Sequence, residues 1–131
     1  MSTYQDVINV NKHHGVPMAA KPTFPNVEDF SFRHDFLLEE LDELEEAFSE
    51  RSLVGIVDAI ADILIVAYGF AATMGLPMDE ILEIVNAANT HGKRLVTSAE
   101  ESKRSYRFDL KKTKDFVSPE AAIFELLKGA L

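Results

Sequence analysis

The sequence predicts an all-α fold, a helical bundle of four to five helices. Apolar residues recur at helical spacing along most of the chain. Few segments show the period-two alternation that strands of a sheet require. With 131 residues, the chain is long enough for one domain with a core. We therefore expect a single domain over residues 1–131, with a helical core in 1–92 and a basic segment and C-terminal helix in 93–131.

The first half of the chain contains two predicted helices separated by a loop. Residues 3–13 have apolar anchors at helical spacing, and Gly15 ends this helix. Residues 15–30 contain three prolines and read as an extended loop. The second helix is predicted from about Ser31 to Ser49. Its expected core stripe consists of Leu37, Leu41, Leu44 and Phe48.

Three further helices are predicted in the second half. The third runs from Leu53 to about Met74, and Pro77 starts a fourth that extends to about Asn89. Residues 93–117 are polar and are predicted to be irregular. A serine cap, a proline at the first position and an acid in the first turn mark the start of the last helix at Ser118.

Composition excludes several classes of function. There is no cysteine, which fits an intracellular protein, and the N-terminus lacks a signal-peptide pattern. The net charge of −9 argues against non-specific binding of nucleic acid polymers. The uninterrupted apolar stretch 63–74 falls short of the roughly 20 residues of a membrane span, so we expect a buried core helix. Residues 93–114 hold 8 Lys+Arg against 3 Asp+Glu, which suits an anionic ligand.

Two carboxylates interrupt the apolar third helix. Asp58 and Asp62 are the only charged residues between Leu53 and Leu76, and their i, i+4 spacing puts them on one side of the helix. An ionised carboxylate in an apolar setting is paired or binds a metal. For Asp58, a helix-capping role or an ion pair with an arginine is the alternative.

The second helix supplies matching acids. Projected at about 100° per residue, Glu40 and Glu43 fall on a flank that can face the neighbouring helix, and Glu39 is borderline. Acidic pairs from two packed helices are how bundles build divalent-metal sites. Mg²⁺ prefers such oxygen ligands and takes substrate phosphates as further ligands. A solvated, helix-favouring acidic face is the alternative interpretation.

Two segments resemble a known family. LLEELDEL (37–44) and VDAIADILIVAYGFAATMGLP (57–77) are similar to the MazG-like all-α nucleoside triphosphate pyrophosphohydrolases. That superfamily includes dimeric dUTPases and phosphoribosyl-ATP pyrophosphohydrolases, and carries Glu-x-x-Glu on one helix and Glu-x-x-Asp on the next. Glu40 and Glu43 match the first motif and Asp62 ends the second. The second motif has Ala59 where the family has Glu, and Asp58 is the candidate replacement.

The resemblance implies Mg²⁺-dependent hydrolysis of a (deoxy)nucleoside triphosphate to the monophosphate and pyrophosphate, with Mn²⁺ as a possible substitute. Water would attack the α-phosphorus. The implied catalytic residues are Glu39, Glu40, Glu43 and Asp62, and the implied metal ligands are these four with Asp58. The implied substrate-binding residues are Asn89, Lys93, Lys103, Arg104 and Lys111. A homodimer or homotetramer that completes the bundle, in the cytoplasm of a bacterium or a phage-infected cell, is also implied.

Three alternatives stay open from the sequence. The first is a phosphoribosyl-ATP pyrophosphohydrolase-like activity. The second is a catalytically silent protein that binds nucleotide or metal, and the missing glutamate at Ala59 favours it. The third is a structural oligomerisation module, which leaves Asp58 and Asp62 unexplained. The sequence does not define the base, because pocket shape and a few hydrogen bonds set specificity. Four aromatic residues are either base-stacking or core residues: Phe32, Phe36, Tyr68 and Phe70.

Overall fold

A computed structural model describes residues 2–131 and confirms the all-α class. The five α-helices are α1 (Thr3–His13), α2 (Val27–Ser49), α3 (Leu53–Thr73), α4 (Met78–Gly92) and α5 (Glu120–Leu127). Two short strands, β1 (Lys93–Leu95) and β2 (Leu110–Lys112), and 3₁₀ turns at Ala99–Glu101 and Lys128–Ala130 complete the described elements. The chain divides into two compact units, one extending to Met78 with Ala130, the other spanning Asp79–Gly129 with Leu131. The single domain over residues 1–131 stays a prediction.

Side-chain caps define where the first helices begin. Ser2 caps α1, which has the predicted bounds. The predicted start of α2 at Ser31 is wrong, because Asn26 caps the helix and it begins at Val27. The Asn26 side chain accepts from the Asp29 backbone N–H at 2.8 Å and donates to the Asp29 carboxylate at 3.1 Å. This reciprocal pair satisfies an otherwise unpaired N–H and extends the helix into the predicted loop.

Helices α2 and α3 form an antiparallel hairpin, and the stripe that α2 buries differs from the predicted one. Glu40 and Ala47 are buried, whereas Leu41 is 49% exposed and Phe48 is 73% exposed. Leu37 and Leu44 are half-buried, so the predicted stripe, which followed apolarity alone, is wrong at Leu41 and Phe48. The chain instead turns the flank with Glu40 and Ala47 toward α3, where small residues permit close contact: a Cβ added at Gly55 would lie 2.9 Å from Ala47 Cβ.

The core of the first unit lies where α1 meets the C-terminal half of α3. Tyr4, Ala71 and Ala72 are buried there, with Tyr68 among the residues packed on them. The Tyr4 hydroxyl donates to the Leu76 carbonyl at 2.6 Å, which fastens α1 to the chain after α3. The loop before α2 also crosses this end of α3, since the Ala19 and Thr23 N–H groups donate to the carbonyls of residues 73 and 74.

The second unit contains a small hairpin where the sequence predicted irregular structure. β1 and β2 pair antiparallel, with Arg94 opposite Lys111. Phe116 packs on the end of α4, because a Cβ at Gly92 would lie 2.6 Å from its ring. Helix α4 extends to Gly92, whereas the sequence predicted that it ends near Asn89. The predicted start of α5 is close to the observed one: the Ser118 hydroxyl accepts from the Glu120 N–H at 3.2 Å.

The third helix has an unusual surface. By length and composition, α3 is the one helix of the described chain that is apolar enough to cross a membrane, and 17% of its most apolar window is buried. It still carries Asp58 and Asp62 in its first half. The prediction of a buried core helix is therefore wrong for this chain by itself, since much of the apolar surface of α3 is exposed.

We predict that Gly75→Ala destabilises the protein more than Gly15→Ala. Both glycines have a left-handed φ, 69° and 72°, which costs an alanine about 1–2 kcal/mol. At Gly75 the added Cβ would also lie 2.6 Å from the Lys21 carbonyl oxygen, whereas at Gly15 it meets open space. Thermal unfolding followed by circular dichroism measures both variants. Equal shifts in Tm would show that the Lys21 contact relaxes freely.

Candidate metal centre

Three carboxylates converge in the middle of the α2–α3 hairpin. One oxygen from each of Glu40, Glu43 and Asp62 lies within 4.8 Å of the other two. Glu40 is 6% exposed, Asp62 is half-buried and Glu43 is exposed. The cluster therefore has a buried side toward the helix interface and an open side toward solvent. Of the predicted ligands, the structure brings these three together.

The cluster belongs to a regular line of contacts, which we call the α2–α3 seam. Its members step by three and four residues along each antiparallel helix: Arg33, Phe36, Glu40, Glu43 and Ala47 on α2, and Gly69, Val66, Asp62, Ala59 and Gly55 on α3. This spacing keeps each set on one face of its helix. The acidic layer consequently has apolar or small residues on either side of it along the seam.

Burial and like charge raise the pKa of Glu40. Removal from water is the largest cause, followed by a hydrogen bond with Glu43 and repulsion from Glu43, Asp62 and Glu39. Together they bring the pKa of the Glu40 carboxyl from its ordinary 4.5 to about 7. The protonated form of Glu40 is therefore favoured more than that of an ordinary carboxyl, and a bound cation would oppose this effect.

The chemistry of the donor set fits a hard divalent cation. Glu40 Oε2 is buried and has no hydrogen-bond partner among the described residues. Such an atom is costly to leave unsatisfied. All three donors are carboxylates, the ligand type that Mg²⁺ prefers, and the open side leaves room for waters or phosphate oxygens. Glu40, Glu43 and Asp62 are therefore suited to hold such a metal.

Asp58 lies outside this cluster, in an acidic cleft one turn away. The cleft has a volume of about 190 Å³, and its lining includes Asp58, Ala59, Glu43 and two acids that the sequence analysis did not single out, Glu46 and Glu50. Neither alternative role for Asp58 is observed. Ser52 provides the N-cap of α3, and among residues 2–131 no Arg–Asp58 ion pair is present. Its role as a ligand stays a prediction.

Two other predicted positions have clear locations. Glu39 is exposed next to Glu40 and contributes to its raised pKa. Ala59 is 2% exposed and lies on the α2–α3 seam, so the methyl group fills the place where the family motif has a carboxylate.

The five predicted substrate-binding residues belong to the second unit. Asn89 lies in the last turn of α4, and Lys93 lies over the Phe116 ring at 6.0 Å. Arg104 donates to both oxygens of Asp109 at 2.8 Å, which lowers the pKa of that carboxyl to about 2. Lys111 lies 3.8 Å from Glu101. A cavity of about 390 Å³ is lined by Lys93, Lys103, Arg104 and Lys111, but not by Asn89. Their role in binding substrate stays a prediction.

Sequence reasoning missed what fills the space over Gly69. The lack of a side chain at Gly69 allows another group to approach α3 closely. The Arg33 guanidinium occupies this position: a Cβ at Gly69 would lie 2.6 Å from one terminal nitrogen of Arg33. Arg33 precedes Glu40 by seven residues, which puts both on the same face of α2. The seven-residue spacing from Glu40 is the sequence signal that could have placed Arg33 on the face of α2 that packs on α3.

We predict that Glu40→Gln stabilises the metal-free protein at pH 8 and removes its response to Mg²⁺. The folded pKa of Glu40 is raised, so the stability of the metal-free protein falls as pH rises from about 4.5 through about 7. An amide removes this loss and also removes a metal ligand. Tm in EDTA and in Mg²⁺, at pH 5 and pH 8, measures both effects.

Glu45→Gln is the control, because it makes the same charge change at an exposed position of α2 outside the cluster. A Mg²⁺-dependent rise in Tm that survives in Glu40→Gln would contradict a role for Glu40 as a ligand.

Comparison with known proteins gives one clear relationship. The family model of the phosphoribosyl-ATP pyrophosphohydrolases matches residues 7–89, which is more than half of the chain and includes both acidic motifs. The match ends before Lys93 and the basic segment that follows it. No curated protein matches the chain. The chain therefore belongs to the phosphoribosyl-ATP pyrophosphohydrolase family, within the MazG-like all-α nucleoside triphosphate pyrophosphohydrolase superfamily, and this confirms the resemblance in its sequence.

Proposed function

We propose that this protein hydrolyses a (deoxy)nucleoside triphosphate to the monophosphate and pyrophosphate, with Mg²⁺ as its metal and Mn²⁺ as a substitute. The observation that carries the proposal is the convergence of Glu40, Glu43 and Asp62 around a buried, unpartnered oxygen. Membership of a pyrophosphohydrolase family supports the type of bond cleaved. We further propose that the enzyme acts in the cytoplasm.

The acids have two kinds of task in the proposed reaction, metal binding and acceptance of a proton. Glu40, Glu43 and Asp62 hold the metal, and Asp58 adds a carboxylate from the neighbouring cleft in place of the family glutamate. When bound, Mg²⁺ offsets phosphate charge and polarises a phosphoryl oxygen. The exposed Glu39 carboxylate accepts a proton from the attacking water. The new bond joins that water oxygen to the α-phosphorus, and the bond to the β-phosphate oxygen breaks as pyrophosphate leaves.

The phosphates of the substrate need cationic or hydrogen-bonding partners, which the end of α4 and the basic segment after it offer. We propose Asn89, Lys93, Lys103, Arg104 and Lys111 as substrate-binding residues. Lys103 is exposed and takes part in no ion pair among the described residues, whereas Arg104 is paired with Asp109. The cationic cavity of the second unit supports this assignment.

Two rival functions have specific support. Phosphoribosyl-ATP, the substrate in the name of the matched family, is the second candidate substrate. A silent binding protein is favoured by Ala59, which removes one carboxylate of the family motif. Hydrolysis assays separate both from the main proposal.

We also propose that a second copy of the chain covers the exposed side of the hairpin. On α3 the residues opposite the α2–α3 seam form an apolar stripe of Leu53, Val57, Ile60 and Leu64, each at least 48% exposed. Exposed apolar surface of this extent marks an interface. A homodimer or homotetramer would bury it.

We predict Mg²⁺-dependent release of pyrophosphate and a monophosphate from at least one nucleotide in a panel of dNTPs, NTPs and phosphoribosyl-ATP. Glu43→Gln and Asp62→Asn should each lower the rate by more than about 100-fold, since losing a group that only orients a metal ligand already costs about 10–100-fold. Glu45→Gln should keep full activity.

The outcomes of this assay discriminate among the candidates. Release of single phosphate would place the cut elsewhere and contradict the proposal. Turnover of phosphoribosyl-ATP alone would favour the second substrate. Metal-dependent nucleotide binding without any product would favour the silent binding protein, and Ala59→Glu would then test whether the missing carboxylate is the cause.

We predict that Leu64→Glu lowers the oligomeric state, because a charge at the proposed interface cannot be buried without a partner. Size-exclusion chromatography with light scattering measures the mass. Thr90→Glu, at an exposed position of α4, is the control. A wild-type monomer would contradict the proposed assembly.

A further inference from the structure

A second cavity lies in the first unit, between α1, α2 and α3. It has a volume of about 240 Å³. Its walls are mostly apolar, with Val7 and Val10 from α1, Phe36 from α2, and Ile65 and Val66 from α3. This volume is below the roughly 300–1,000 Å³ of pockets for drug-sized molecules, and suits a single ring system.

Three charged or amide side chains reach this cavity, Asn11, Arg33 and Asp6. Asn11 Nδ2 is buried and has no hydrogen-bond partner among the described residues. Arg33 is half-buried, and burial lowers the pKa of its guanidinium, against a smaller opposing attraction by Asp29. The guanidinium also lies over the Phe32 ring, 5.4 Å from its centre. Within residues 2–131, neither Arg33 nor Asp6, at the exposed rim, takes part in an ion pair. The cavity thus offers two donors in an apolar setting and one acceptor at its exposed rim.

The cavity adjoins the acidic cluster along the α2–α3 seam. Phe36 and Val66 are each one helical turn from Glu40 and Asp62 respectively, which corresponds to about 6 Å along the helix. Arg33 lies about 10 Å from Glu40 by the same measure. A nucleotide whose phosphates bind at the acidic cluster would therefore place the group on the other side of its sugar, the base, in this cavity.

We propose that this cavity is the nucleobase subsite, and that it favours bases with a lactam edge, a carbonyl next to a ring N–H. The proposal rests on the proposed function for the position of the phosphates. Arg33 donates to the carbonyl oxygen, Asp6 accepts from the ring N–H, and Asn11 Nδ2 donates to a further acceptor of the base.

The polar groups disfavour two of the common bases. Uracil, thymine, guanine and hypoxanthine all present a carbonyl beside an N–H. Adenine and cytosine present a ring nitrogen acceptor at that place, and it would face the Asp6 carboxylate. A site built to hydrogen-bond one pattern leaves buried groups unpaired with the other, which is how such sites discriminate. Phe36 contributes an apolar wall for the ring.

The test compares Arg33→Met with the charge-matched control Arg51→Met, which is outside the cavity. Substrates are dUTP, dTTP, dGTP, dITP, dCTP, dATP and base-free tripolyphosphate. We expect wild-type kcat/KM to be higher for the four lactam bases. Arg33→Met should lower these values by about 10–100-fold, mainly through KM, and leave tripolyphosphate hydrolysis unchanged. Arg33→Lys should recover part of the loss, and Asp6→Asn should raise relative activity on dCTP and dATP.

Other results would overturn the inference without touching the proposed function. An equal loss on every substrate, tripolyphosphate included, would make Arg33 a phosphate or structural residue. A wild-type enzyme without preference for lactam bases would exclude the subsite. If light scattering shows that Arg33→Met dissociates the oligomer, the cavity is part of an interface with a second copy of the chain and not a base subsite.

A second readout keeps the inference testable if no nucleotide is hydrolysed, which would contradict the proposed function. Uridine, guanosine, cytidine and adenosine are titrated into the wild-type protein in EDTA, with the side-chain amide of Asn11 followed by NMR. Saturable shifts with uridine and guanosine alone support the subsite. Their absence, or equal shifts with all four nucleosides, overturns it.

Discussion

The α2–α3 seam is the feature on which the rest of this structure depends, and its central contact is the burial of Glu40 against Asp62 and Glu43. The helices can approach there because Gly55 and Gly69 lack side chains at the two ends, facing Ala47 and Arg33. A buried carboxylate with an unpartnered oxygen is unfavourable for folding. The seam therefore carries a cost in the metal-free protein, which a bound divalent cation would remove.

The same regular seam places different chemistries at fixed separations. Toward the α2–α3 turn, an acidic cleft contains Asp58 and Glu43. Toward the other end, Arg33 and Phe36 face the cavity that α1 closes. Because helices are rigid, the acidic cluster and the cavity are held about one helical turn apart.

The apolar surface of the hairpin gives the fold a further requirement. Leu41, Phe48 and the apolar stripe of α3 are each about half-exposed or more in the described part of the chain. Helix α2 therefore leaves apolar side chains exposed, while the face that packs on α3 contains the buried Glu40. A stable chain of this kind depends on a cover for the apolar side, which the proposed assembly supplies.

The sequence by itself determined the helices, the acidic pairs and the family, since periodicity, caps and the spacing of Glu40, Glu43 and Asp62 are local properties of the chain. It failed at the start of α2, where the Asn26–Asp29 cap was overlooked, and at the core stripe of α2. Only the tertiary structure decided which flank α2 turns to α3, that Arg33 fills the space over Gly69, and that Asn11 joins them around a cavity. The reason is physical: periodicity defines the faces of one helix, whereas the choice of face depends on size, charge and fit across two helices.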